Sequence, residues 1–248
     1  MLDLNRRSTK REEMSERINA LIDANLTAEN AKRPRREYLG TSYLGGPCAR
    51  AVQFEYAGEP HDEPFPGQTL RIFERGHQFE DMAAAWVRAA GFRLLTHKRG
   101  GGQFGFEDAG GRFKGHVDGV IVEGPPEFAP YPFLWEHKGL NHKNWRGVVD
   151  KGVTVATPTY AAQVAVYQAQ LGLMEAPALF TVTNANTMQL FHERVPFDPG
   201  LAQQMIDRAV TVIRATEAGE VLPRVSREPD NYVCNMCSFK ARCWSYAV

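Results

Sequence analysis

Three residues near the middle of the chain have types and spacing that could hold a divalent cation and activate water. Asp118 closes the run Gly115-His116-Val117-Asp118-Gly119, and Glu136 and Lys138 flank a histidine in Glu136-His137-Lys138. In a strand alternate side chains share a face, so Glu136 and Lys138 project to one side and His137 to the other. Asp118, on the preceding strand, would lie beside them. Two carboxylates brought together repel unless something positive stands between them. Mg²⁺ or Mn²⁺ prefers oxygen ligands, keeps several waters, and can turn one of them on a phosphodiester. Lys138 would orient that water or steady the charge on phosphorus. The plainer alternative is a pair of turn and surface acids with Lys138 as their salt-bridge partner.

A second cluster lies at the far end. Cys234-Asn-Met-Cys237-Ser-Phe-Lys-Ala-Arg-Cys243 places three thiols within ten residues, and Cys48 is the one other cysteine. Four thiolates satisfy either a tetrahedral zinc or a 4Fe-4S cluster.

The elements that must position these groups are legible in outline. β-branched Val117, Val120, Ile121 and Val122, a Pro125-Pro126 break and a second apolar run from Phe133 predict a β-hairpin with a long loop over 113–140. A helix over 69–90 would turn Leu70, Phe73, Phe79, Met82, Ala83, Trp86 and Ala90 to a core, with Gly91 as its stop and with His77 and Glu80 sharing a face. Residues 92–98 read as a strand. A helix from Pro158 carries Tyr160, Gln163 and Tyr167 at spacings of three and four, a polar stripe on an apolar helix that needs partners. Residues 178–183 and 188–195 predict a hairpin closing at Asn184-Ala185-Asn186, and Asp198 caps a helix running to about 218. At the N-terminus, Met14, Ile18, Leu21 and Ile22 predict an amphipathic helix over 9–26. It is followed by the basic linker Lys32-Arg33-Pro34-Arg35-Arg36. Arg35 and Arg36, and Lys143, Trp145 and Arg146 in a polar loop after the hairpin, are candidate nucleic-acid contacts; a solvated linker is the equal alternative for the first pair.

Composition bounds the rest. The chain has 248 residues, is 43% hydrophobic, and balances 29 Lys and Arg against 29 Asp and Glu, so a nucleic-acid surface must be a local patch. No apolar run approaches the roughly 20 residues of a membrane span, and the N-terminus lacks the apolar stretch of a secretory signal. The expectation is a cytoplasmic protein whose cysteines are reduced or bound to metal.

Taken in order, these motifs resemble a family. Gly115 to Gly119 followed by Glu136-His137-Lys138 looks like motifs II and III of the PD-(D/E)XK nucleases, in the RecB-like branch. Gly76-x3-Glu80 resembles motif I of the phage exonucleases, in which the helix acid completes the metal site. A histidine takes that part in CRISPR-associated relatives, so His77 is the alternative to Glu80. Gln163-x3-Tyr167 matches the motif that flanks the active site in this branch, and Tyr160 lies near it. Cys48 with Cys234, Cys237 and Cys243 is the pattern of the iron-sulfur members, among them the AddB nuclease domain and the type-four CRISPR-associated nucleases.

The resemblance covers residues 42–244. It implies a restriction-endonuclease-like α/β core, a mixed central sheet flanked by helices, with a structural 4Fe-4S cluster fastening the C-terminus to the N-terminal segment. Residues 1–40 would form a helix and linker ahead of a nuclease domain over 41–248. The implied activity is Mg²⁺- or Mn²⁺-dependent hydrolysis of DNA, as an exonuclease in recombination, repair or phage- or CRISPR-type processing, with a helicase, recombinase or integrase as partner. The competing class is a DNA-binding or assembly protein that keeps the fold and the zinc or iron-sulfur site but has weak or no catalysis.

Overall fold

The computed structural model describes residues 10–246; the first nine residues, where the segment 1–40 and the helix predicted over 9–26 begin, and the last two lie outside them. The chain opens with α1 (Lys10–Ala31), β1 (Leu39–Gly40), α2 (Thr41–Leu44), α3 (Ala49–Ala57) and α4 (Gly67–Ala89). Five strands follow, β2 (Arg93–Leu95), β3 (Gly105–Asp108), β4 (Phe113–His116), β5 (Gly119–Glu123) and β6 (Phe133–Leu140). Helices α5 (His142–Lys151), α6 (Val153–Ala156) and α7 (Pro158–Leu171) lead to the hairpin of β7 (Ala178–Asn184) and β8 (Leu190–Val195). The chain ends in α8 (Pro199–Glu217), α9 (Tyr232–Asn235) and α10 (Lys240–Ser245).

The strands form two sheets rather than the single central sheet that the sequence predicts. One has the order β2-β5-β6-β7-β8 and the other β1-β4-β3. The division falls at Val117-Asp118, where the chain leaves one sheet and enters the other. The predicted hairpin is therefore β5 and β6, antiparallel with Gly119 opposite Trp135, while residues 113–116 pair with β1 and β3. β6 and β7 are parallel, which requires a crossover, and α5 to α7 supply it. Being central, β6 is buried on both faces, as its near-continuous apolar run demands. Leu134 joins Phe180, Val182, Val148 and Val164 on one side, and Phe133 and Trp135 join Ala83, Ala84 and Val87 of α4 on the other. Each of these large side chains contributes about 1.5–3 kcal/mol on burial.

Two sequence expectations change. In α4 the core face is Ala83, Ala84 and Val87, whereas Phe73, Met82, Trp86 and Ala90 are exposed. Small residues let the helix sit close to the sheet, which turns its bulky residues outward. In α1, Met14, Ile18, Leu21 and Ile22 are all exposed, because the helix meets the rest with its C-terminal half, where Asp23 packs on Arg71 and Gly67 of α4 and Leu26, Thr27 and Asn30 are partly buried. The C-terminal hairpin and the Asp198-capped α8 form as predicted, with Asp198 accepting from the Leu201 N–H at 2.9 Å. Among the described residues no helix is long and apolar enough to cross a membrane.

Candidate active site

The site grows out of the place where β5 and β6 part. Backbone pairing between them runs from Ile121 opposite Phe133 to Gly119 opposite Trp135. One step further the chain turns toward β4, so the Asp118 carboxylate replaces the missing ladder bond and accepts from the His137 N–H at 2.8 Å. This holds Asp118 beside β6. The alternation of β6 then decides the neighbours: Lys138 Nζ donates to Glu136 Oε1 at 2.5 Å and stands 3.9 Å from Asp118 Oδ2. His137 turns to the opposite face, where its Nε2 meets Thr183 Oγ1 at 2.9 Å; burial and the nearby Lys138 and His192 charges push its pKa down to about 3, so it is a neutral core residue.

Glu80 reaches the same cluster from α4. Gly139 makes that approach possible, since a Cβ there would come 2.9 Å from the Phe79 ring. Burial and then the Asp118 charge raise Glu80 to about 7, and the same two causes raise Glu136 to about 8. Asp118 is also raised, by burial, against the opposing pull of Lys138 and the His137 N–H. Burial alone would lower the lysine, but Glu136 and Asp118 hold it above its ordinary value. Glu136 is fully buried, and its Oε2 has no hydrogen-bond partner. Such an orphan acceptor calls for a ligand. The raised pKa values of Glu80, Glu136 and Asp118 are those of buried carboxylates crowded together with one ammonium and no cation between them.

His77 takes a different position: its side chain is 70% exposed and 3.9 Å from Glu74. Its charge is felt at Asp118, but the carboxylate that enters the cluster from this helix is Glu80. Among the described residues no three donor side chains converge as the ligands of one metal ion. Glu136 and Asp118 are organised instead around the lysine ammonium.

α7 closes the site. Gln163 Nε2 donates to the Tyr167 hydroxyl at 3.0 Å, and Lys138 Nζ lies 5.5 Å from the centre of the Tyr160 ring. Burial, then the Glu136 charge, keeps the Tyr167 phenol protonated far above its ordinary range. The side chain fits because Gly115 has no Cβ, which would come 2.5 Å from the Tyr167 ring. The glycine before His116 is thus a close-approach position.

The predicted nucleic-acid contacts divide. Residues 142–151 are helical rather than a loop, with Asn141 as the cap accepting from the Asn144 N–H at 2.9 Å. Trp145 is therefore a correction: it is 7% exposed, packed in the main core, and not placed to touch a polymer. Lys143 is exposed, and Arg146 is exposed but paired with Asp150 at 3.0 Å. Arg35 donates to the Tyr56 carbonyl at 3.0 Å, and Arg36 stacks on Tyr38 at 5.1 Å and on Tyr43 at 5.6 Å. The sequence signal for these contacts is an aromatic, Tyr38, two residues after the basic run that ends at Arg36.

The cysteines come from both ends of the chain to one cavity, without forming a ready-made ligand set among the described residues. Cys48, at the start of α3, and Cys234, Cys237 and Cys243 line one small cavity. Arg50 Nη1 is 3.7 Å from Cys243 Sγ, and Arg208 lies near Cys48. Direct bonds also join the segments: Arg242 pairs with Glu59 at 2.6 Å, Asp62 accepts from the Ala241 N–H at 2.7 Å, and Gln53 bonds the backbone of Glu220 and Leu222. Phe54 packs on Phe239 and Tyr246.

With this geometry in hand, solved structures offer a comparison. An alkaline exonuclease, LHK-Exo from Laribacter hongkongensis, superposes on 79% of the chain and 93% of its own length with a TM-score of 0.50 at 16% identity. The chain has the fold of an alkaline exonuclease. The protein SSO0001 superposes on 93% of the chain and 98% of its own length, with a TM-score of 0.51 at 13% identity. LHK-Exo in complex with dAMP aligns with a TM-score of 0.49 at 15% identity, over 81% of the chain and 93% of its own. No protein-family model matches the chain, and no curated protein matches it in sequence.

Proposed function

We propose that the protein is a metal-dependent DNA nuclease of the PD-(D/E)XK type, RecB-like branch, and acts as an exonuclease. The observation that carries this reading is the pair Asp118 and Glu136 on one lysine, with Glu80 electrostatically coupled to them and with one buried carboxylate oxygen of Glu136 left without a partner. Likeness in fold to an alkaline exonuclease supports it. Asp118, Glu136 and Glu80 are the residues that would hold Mg²⁺ or Mn²⁺, whose oxygen preference suits three carboxylates. The metal, when bound, supplies Lewis acidity toward a phosphodiester and lowers the pKa of water.

The chain's own residues do the rest. Lys138, kept protonated by two carboxylates, offers its remaining N–H donors to the attacking water or to the developing negative charge on the phosphoryl oxygens. The Asp118 bond to the His137 N–H pins Asp118 to β6 and so fixes its carboxylate relative to Glu136 and Lys138. Tyr160, Gln163 and Tyr167 form a rigid wall that aims the lysine and excludes bulk water.

The four cysteines belong to the same reading. They would hold a 4Fe-4S cluster with a structural role, and the guanidiniums of Arg50 and Arg208 suit its anionic thiolates. Purified protein incubated with end-labelled linear and with circular DNA should cleave only when Mg²⁺ or Mn²⁺ is present and should leave circles intact. Absence of cleavage of any DNA by well-folded, metal-supplied protein would favour a binding or assembly role instead.

A further inference from the structure

Beside the site lies a second feature that the carboxylates do not use. The C-terminal end of α1, the basic linker, α3 and the loop over residues 58–65 enclose a cleft of about 610 Å³. Three tyrosines, Tyr38, Tyr43 and Tyr56, line it together with Arg35 and Arg36. Among the described residues neither arginine is paired with a carboxylate: Arg36 rests on two tyrosine rings and Arg35 on a backbone carbonyl. Of the acids that line the cleft, Glu59 pairs with Arg242 at 2.6 Å and Glu55 is hydrogen-bonded to His61 at 3.0 Å. Aromatic faces beside guanidiniums that no carboxylate neutralises form a surface for bases and phosphates together.

The cleft connects to the carboxylates through β4. Tyr38 meets the His116 ring edge-on at 6.3 Å and lies under Lys114 Nζ at 5.6 Å. His116 is two residues ahead of Asp118. Arg36 and Lys114 both stand over the Tyr38 ring, at 5.1 and 5.6 Å, so positive charge gathers on this side of the site.

We propose that this cleft is a base-stacking subsite that takes the unpaired end of a DNA strand, with bases on the tyrosines and phosphates on Arg35 and Arg36, and leads that strand past His116 to Asp118. The subsite rests on the nuclease reading for its direction, and it gives the enzyme a preference for single-stranded or frayed ends over blunt duplex. Inside a duplex both faces of a base are covered by its neighbours, so a blunt duplex offers the tyrosines at most the outer face of its end pair, whereas an unpaired strand offers successive bases.

The test is fluorescence anisotropy of a labelled oligothymidine and of a blunt duplex of the same length, with EDTA present so that no strand is cut. Wild-type protein should bind the single strand more tightly. Tyr38→Leu and Tyr56→Leu should each weaken that binding at least about fivefold, whereas Tyr38→Phe should keep it, because stacking survives loss of the hydroxyl. Exposed Arg36 can be changed without risk to folding, and Arg36→Ala should flatten the dependence of log affinity on log salt by about 0.7. Affinity within twofold of wild type in both tyrosine-to-leucine variants, or equal affinity for blunt duplex, overturns the subsite. If those variants lose binding but wild-type protein with Mn²⁺ cuts no DNA, the subsite stands as a strand-binding surface and the nuclease reading fails.

Discussion

The carboxylate site and the cysteine site are held in place by different means. Asp118, Glu136 and Lys138 are placed by a strand ladder: the pairing of β5 and β6 sets the register, strand alternation sets the face, and one side-chain bond pins the edge. The cysteine site has almost no ladder beneath it. Three of its thiols lie on or between helices of four and six residues, below the length at which a helix is stable on its own, and the fourth caps a segment nearly two hundred residues earlier. Scattered side-chain bonds hold the two ends together. A site made of regular structure survives the loss of a side chain. One made of short segments depends on the group that bridges it.

The sharpest way to break that contrast is at the cysteines. Cys48→Ala or Cys237→Ala should cost on the order of 5 kcal/mol and unfold the C-terminal segment, read as lost protection of residues 220–246 in hydrogen exchange. Anaerobically purified wild-type protein should be brown, with about four irons per chain. Colourless protein carrying one zinc per chain after anaerobic reconstitution would replace the cluster with zinc. Next in size, Asp118→Asn should lower cleavage by about a thousandfold, roughly 4 kcal/mol of barrier, while leaving thermal stability unchanged or raised, because one buried negative charge is removed.

A pH profile sharpens the contrast further. Glu80 and Glu136 have folded-state pKa values of about 7 and about 8, raised from 4.5, so the metal-free folded chain binds more protons than the unfolded one across that window. Their contribution is fully present below pH 4.5 and is lost as pH rises through 7 and 8. Melting temperature in EDTA should fall from pH 5 to pH 8, and Mn²⁺ should restore more of it at pH 8 than at pH 6. The smallest effect is expected at the surface: Arg146→Ala removes an exposed pair with Asp150 and should change stability by at most about 0.5 kcal/mol, checked by urea unfolding.

What was legible in the sequence follows the same division. Period-two patterning and the turn residues give β5, β6, β7 and β8, and with them the facing of Glu136 and Lys138 away from His137. The split into two sheets was not legible, because it depends on one turn at Val117-Asp118 inside an unbroken run of strand-like residues. Trp145 was misread for a local reason: polar neighbours on either side suggest a loop, whereas Asn141 caps a helix whose one apolar face is Trp145 and Val148. In α4 the helical period was right but the buried face was the small one, a choice made by the distance to the sheet. The cleft around Tyr38 was invisible for a further reason, since it is assembled from α1, the linker and α3, which are separated along the chain.

The central claim is that the orphan carboxylate of β6 serves catalysis rather than folding. It is tested most directly with Glu136→Gln, which keeps the size and the acceptor for Lys138 but removes the charge. Single-turnover cleavage of an end-labelled strand in Mn²⁺ should fall by at least about a hundredfold, while the melting temperature in EDTA at pH 8 stays equal to or above that of wild type. Cleavage at the wild-type rate by this variant, with the same metal dependence, would contradict the account.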